Sequence, residues 1–130
     1  MDIVPVIKQS IKKFSIIKLC ILFGSAAKNK LSVNSDIDIA IKTEGEFKYK
    51  DKMRIIEELA IHLLRPIEII DIDKIDVILL RQICSNCVVI YQKNQNEYYY
   101  YLKKMIFEIT DFLPYYNRIL EYRVNKWISS

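Results

Sequence analysis

The sequence predicts a mixed α/β (α+β) domain: a small sheet of about four strands flanked by helices, with a C-terminal helical arm. Three observations carry that prediction. Short β-branched runs at 16–23, 36–41, 66–72 and 87–91 alternate with segments of helical period, a pattern that builds layers rather than a bundle. A chain of 130 residues suffices for one core. With 52% hydrophobic and 28% charged residues it is no disordered tail. We read 1–130 as a single domain, a core over 1–92 and an arm over 93–130, since no repeat, low-complexity tract or Pro/Gly-rich linker divides it.

Taken in order, Val4, Ile7, Ile11 and Phe14 recur at the spacing of a helix with one buried face. Ile16 to Phe23 is short, β-branched and closed by Gly24, the pattern of a central strand. A short helix is expected to open at Ser25. Asp36 to Ile41 is a second strand, with Ile37, Ile39 and Ile41 on one face and Asp36, Asp38 and Ala40 on the other. Thr43 to Glu46 reads as a turn, and Tyr49, Met53, Ile56, Leu59, Ala60 and Leu63 mark a helix stopped by Pro66. Pro66 to Ile72 is a third strand, Asp76 to Cys84 a short helix, and Cys87 to Tyr91 an edge strand. From Glu97 to Ile128 apolar and aromatic residues recur every three or four positions, with Pro114 expected to break or kink the helix. That stripe is more apolar than a small sheet needs, so its first half is expected to fold over the sheet and the remainder to meet a partner chain.

The bulk numbers exclude several classes. No apolar run reaches the roughly 20 residues a membrane span requires. The start, Met1-Asp2-Ile3-Val4-Pro5, lacks the pattern of a signal peptide, so a cytoplasmic location is expected. Three cysteines and one histidine are too few for a closed zinc set, and the Cys84-Ser85-Asn86-Cys87 spacing is read as reduced, buried thiols. His62 is read as structural. The net charge is +4, and six lysines precede position 36 against the single acid Asp2, which favours anionic ligands near the first loop. Lys8, Lys12 and Lys13 are read as the solvated face of a helix and Lys28 as a phosphate contact.

The chemistry is concentrated between Gly24 and Asp38, where Gly24-Ser25 follows an apolar run and ten residues separate it from Asp36-Ile37-Asp38. Gly24 lets backbone approach a ligand closely, and Ser25 with the N–H groups after it can hold phosphate. Two carboxylates on one strand face repel unless a cation lies between them, and oxygen donors of this kind suit Mg²⁺. A phosphate cradle facing a metal site is what nucleotide transfer from a nucleoside triphosphate requires. A third carboxylate would complete a metal site or accept the proton of the attacking hydroxyl. Strand phase selects Glu68, which faces as Asp36 and Asp38 do, over Asp71, the alternative third carboxylate; Asp73 is read as a cap or loop residue.

On Gly24, Ser25, Ser35, Asp36, Asp38 and the strand around Glu68, the chain resembles the minimal nucleotidyltransferase (MNT) family of the DNA polymerase beta-like superfamily. The resemblance spans roughly Ile7 to Tyr91, with Lys28-Asn29 where relatives have Arg-Gly and Glu68 where they have Asp. It implies the nucleotidyltransferase fold, ATP as donor, Mg²⁺ held by Asp36, Asp38 and Glu68, and nucleotide held by Gly24, Ser25, Lys28 and Ser35. Small members of this family act as antitoxins that transfer AMP to a tyrosine of a HEPN-domain ribonuclease toxin. The resemblance therefore implies a HEPN-type toxin as partner in a hetero-oligomer, with no membrane and no direct nucleic-acid partner. Two other activities fit the same motif: a binding-only antitoxin that occludes the toxin, and a small-molecule nucleotidyltransferase of the antibiotic-modifying kind. The latter usually carries a larger acceptor domain than the chain after Tyr91 provides.

Overall fold

The computed structural model describes residues 2–28 and 35–129, and beyond Thr110 the side chains of a few positions only. Helix α1 (Ile3–Ile11) starts at Asp2, whose carboxylate accepts the Val4 N–H at 3.1 Å. Strands β1 (Ile17–Phe23) and β2 (Ile37–Thr43) form an antiparallel pair. Helix α2 (Tyr49–Leu63) crosses to β3 (Ile67–Asp71), which lies parallel to β2. A 3₁₀ turn (Ile72–Lys74) and α3 (Val77–Ser85) lead to β4 (Val88–Gln92), antiparallel to β1, and α4 (Glu97–Ser129) ends the chain. The strand order is β3-β2-β1-β4, so β1 is central and β4 an edge, as the sequence predicts.

Each sheet face has its own core. Ile7 and Ile11 of α1 and Ile55 and Leu59 of α2 cover Leu22, Ile37, Ile39 and Ile69. On the opposite face Leu80 and Ile83 of α3 and Tyr101 of α4 cover Leu19, Ile21 and Ala40. The β1 register slips between Ile17 and Leu19. That bulge carries Ile17 to the first face while Leu19 and Ile21 point to the second.

Several boundaries differ from expectation. No helix opens at Ser25: residues 24–28 form turns, the Lys28 N–H reaching the Ser25 carbonyl at 3.2 Å, and 29–34 lie outside the described residues. The β2 strand begins at Ile37 and runs through Thr43, because Thr43 still pairs with Ile17; Asp36 therefore sits just before it and the turn starts after it. The α2 helix ends at Leu63, its last predicted apolar marker, and is closed by Leu64, which is left-handed at φ 53° and donates its N–H to Ala60 O at 2.9 Å, two residues before Pro66. Pro114 does not split the arm: α4 is one helix of 33 residues. Among the described residues no helix is long and apolar enough to cross a membrane.

The three cysteines are free, Cys20 buried with its thiol pushed up by burial, Cys84 and Cys87 only half-buried. The Cys87 sulfur and the Tyr98 hydroxyl lie 3.2 Å apart. His62 is exposed and pairs with Glu58 at 3.1 Å, and Lys13, rather than facing only water, pairs with the same Glu58.

Candidate active site

Register places the predicted residues in one row across three strands. Phe23, the last residue of β1, pairs with Asp38, and Asp38 pairs with Glu68 of β3. Gly24, directly after Phe23, is thereby brought against the Asp38 carboxylate. A Cβ built on Gly24 would overlap an Asp38 carboxylate oxygen, and the residue's φ of +72° is one that side chains disfavour. The positive φ is the stronger reason for glycine at position 24, since a carboxylate end can turn aside but the backbone strain remains.

Asp38 is half-buried and Asp36 and Glu68 are exposed. The Asp38 carboxyl is pushed up to about 6 by burial, then by the charge of Glu68 and a hydrogen bond with it, then by the charge of Asp36. Among the described residues no lysine, arginine or histidine forms an ion pair with any of these three acids. Like charges so arranged favour a cation between them, and their oxygen donors fit a hard divalent ion. Among the described residues no three acidic, His or Cys side chains close on one point, so an ion held here would draw further ligands from phosphate and water.

The alternative carboxylate Asp71 is not in this row. It pairs with Ile41, on the face opposite Asp38 and Glu68, and its carboxylate accepts the Asp73 N–H at 3.0 Å to cap the 3₁₀ turn. Ser25 and Lys28 lie in the turn beyond Gly24, both exposed, and Ser35 is half-buried just ahead of Asp36.

Asp73 does more than the cap or loop role read from the sequence. It binds Lys42 through one oxygen and accepts the Tyr101 hydroxyl at 2.7 Å through the other. Burial raises its pKa, but these two partners, with the charges of Lys42 and Lys104, hold it below the usual carboxylate range. Lys42 shares the sheet face of Asp38, four residues and about 13 Å along the strand. A cleft of about 380 Å³ opens between Lys18, Lys42, Asp73 and Tyr101. Its lysines are already paired, Lys18 with Glu97 at 3.7 Å and Lys42 with Asp73, and the network joins α4 to the sheet. No local sequence signal marks it, since Lys42, Asp73 and Tyr101 are far apart in the chain.

No curated protein matches the chain. Solved structures do. A toxin–antitoxin complex with AMP-PNP matches with a TM-score of 0.75 at 19% identity, over 93% of this chain and 98% of that one. A MntA–HepT toxin–antitoxin structure matches with a TM-score of 0.68 at 18% identity, over 93% and 96%. A complex of tri-AMPylated Shewanella oneidensis HEPN toxin with MNT antitoxin matches with a TM-score of 0.67 at 17% identity, over 93% and 98%. At these identities the likeness is one of fold. The family described as polymerase beta, nucleotidyltransferase matches residues 6–96. With that match over most of its length, and the Gly24–Asp38–Glu68 row inside it, the chain belongs to the polymerase beta nucleotidyltransferase family.

Proposed function

We propose that this nucleotidyltransferase is an antitoxin that uses Mg²⁺ and ATP to transfer AMP to a tyrosine of a cognate HEPN ribonuclease toxin. The observation that carries the reading is the row of Gly24, Asp38 and Glu68 across β1, β2 and β3, an acidic site with no ion-paired basic partner among the described residues, beside a glycine that leaves it open. Support comes from the fold likeness, which extends over nearly the whole of antitoxin-containing structures, one with AMP-PNP and one with an AMPylated toxin.

In this reading the Ser25 hydroxyl and the N–H groups of the 24–28 turn hold the triphosphate, with Lys28 and Ser35 as further contacts. Asp36 and Asp38 would hold the Mg²⁺, with Glu68 as the third carboxylate beside them. An ion held there would supply charge neutralisation of the phosphates. In the same reading Glu68, in register with Asp38, would take the phenolic proton as the tyrosine oxygen bonds to the α-phosphorus and pyrophosphate leaves. Residues 1–92 then act as the catalytic core and 93–130 as the arm that meets the toxin. On α4, Ile106, Phe107 and Tyr122 are exposed and offer apolar surface to such a partner. The expected location is the cytoplasm, where ATP and the toxin's RNA substrates are found.

The test combines the protein, ATP, Mg²⁺ and a candidate HEPN-domain toxin, read by intact mass. A toxin heavier by whole AMP units is expected, and none with Asp36→Ala plus Asp38→Ala. An unmodified toxin in the wild-type mixture overturns the catalytic reading. If the double variant still protects cells in that case, neutralisation is by occlusion.

A further inference from the structure

We infer that the outer edge of β4 is a docking site for an extended acidic segment of a partner protein, which adds as a fifth strand beneath Lys8 and Lys12. Four consecutive residues, 89–92, line a cleft of about 440 Å³ together with Lys8 and Lys12 of α1. Successive strand residues point to opposite faces, so a cleft lined by all four runs along the strand's edge. The other edge of β4 is bonded to β1. Among the described residues no backbone group outside the sheet pairs with 88–92, leaving a row of donors and acceptors open to strand addition.

Charge and spacing define the occupant. Neither Lys8 nor Lys12 forms an ion pair among the described residues, and both are exposed. They stand one helical turn apart, about 6 Å along the axis. Alternate side chains on one face of a strand are spaced by about 6.6 Å. A segment with the pattern acidic-x-acidic thus places one carboxylate under each lysine while its backbone pairs with β4. A second copy of this chain fits badly, since edge-to-edge pairing would bring Lys8 and Lys12 of both copies together. The proposal requires a protein partner but not AMP transfer, so it stands or falls apart from the transferase reading.

The test follows backbone amide exchange of the full chain by NMR during titration with a blocked heptapeptide of alternating Val and Glu. Parallel titrations use the Val/Lys counterpart and an oligouridylate. The Val/Glu peptide should slow exchange of β4 amides by about tenfold or more. Lys8→Glu plus Lys12→Glu should weaken it about tenfold and transfer the preference to the Val/Lys peptide. Lys8→Gln plus Lys12→Gln, a milder change if charge reversal disturbs α1, should weaken the Val/Glu peptide without that transfer. Unprotected β4 amides, an affinity unchanged by either variant, or protection by oligouridylate alone would each overturn the proposal.

Discussion

Asp38 is packed against the bare backbone of Gly24 on one side and paired in register with Glu68 on the other. Its carboxyl is pushed from 3.8 to about 6, chiefly by burial and then by Glu68. Because the folded value exceeds the unfolded one, the fold favours the protonated acid. The stabilisation is complete below about pH 4 and is lost as the pH rises through about 6. At neutral pH the ionised Asp38 therefore costs stability in the absence of a cation. Asp38 is partly open to water, so screening reduces the roughly 3 kcal/mol such a shift implies to about 1 kcal/mol. Asp38→Asn should raise Tm by about 3–5 °C at pH 7.5 and leave it unchanged below about pH 4, while AMP transfer is lost. Added Mg²⁺ should raise the wild-type Tm and not that of the variant. Thermal unfolding followed by circular dichroism checks both, and an equal gain at the two pH values would count against this account. The position of this site was legible because strand alternation is rigid: Asp38 and Glu68 fall on one face and Asp71 on the other from the sequence alone. The turn at Ser25 was less legible, since a Ser after Gly opens a helix or a turn with equal local logic.

Among the elements, α4 shows how far periodicity reaches. A stripe recurring every three or four residues identifies the helix and, among the four successive tyrosines 98–101, selects Tyr98 and Tyr101 as the inward pair. The structure buries Tyr101 to 1% exposure and leaves Tyr99 and Tyr100 at 61% and 57%. What periodicity does not show is the non-local partner of Tyr101: its hydroxyl donates to Asp73, which Lys42 of β2 also binds. Of the two effects expected of Pro114, the break does not occur, since one helix continues on both sides. Tyr101→Phe removes one hydrogen bond to a carboxylate and leaves the ring packed, which should cost about 1–2 kcal/mol and lower Tm by about 3–6 °C at pH 7. Asp73 is held below its usual range, so its contribution is present above about pH 4 and fades as the pH falls through its folded value. The deficit of Tyr101→Phe should therefore shrink in acid. Tyr100→Phe, at an exposed position, is the control and should move Tm by less than about 1 °C.

The whole molecule is three layers with a separate core on each sheet face, and only one of those cores is complete within the first 92 residues. The α1–α2 side closes over Leu22, Ile37 and Ile39 with no α4 side chain among the described residues in its cluster. The α3 side is shared: Tyr98, Tyr101 and Met105 of α4 pack with Leu19, Ile21, Leu80 and Ile83. Cutting the chain after Gln92 removes those three side chains and the hydroxyl partner of Asp73 together. Losing a buried aromatic alone costs about 3–5 kcal/mol, a large part of the 5–15 kcal/mol that holds a typical domain. A chain of residues 1–92 should thus lose cooperative unfolding and bind hydrophobic dyes. A chain of residues 1–110 keeps every α4 side chain in that cluster and should melt cooperatively, within about 3 °C of the full protein. It should nevertheless fail to capture the proposed toxin, having lost Tyr122 and the length of helix around it. Calorimetry of the two truncations, paired with a toxin pull-down, separates the fold-bearing start of α4 from its partner-bearing end. Cooperative melting of 1–92, or collapse of 1–110, would place the division elsewhere.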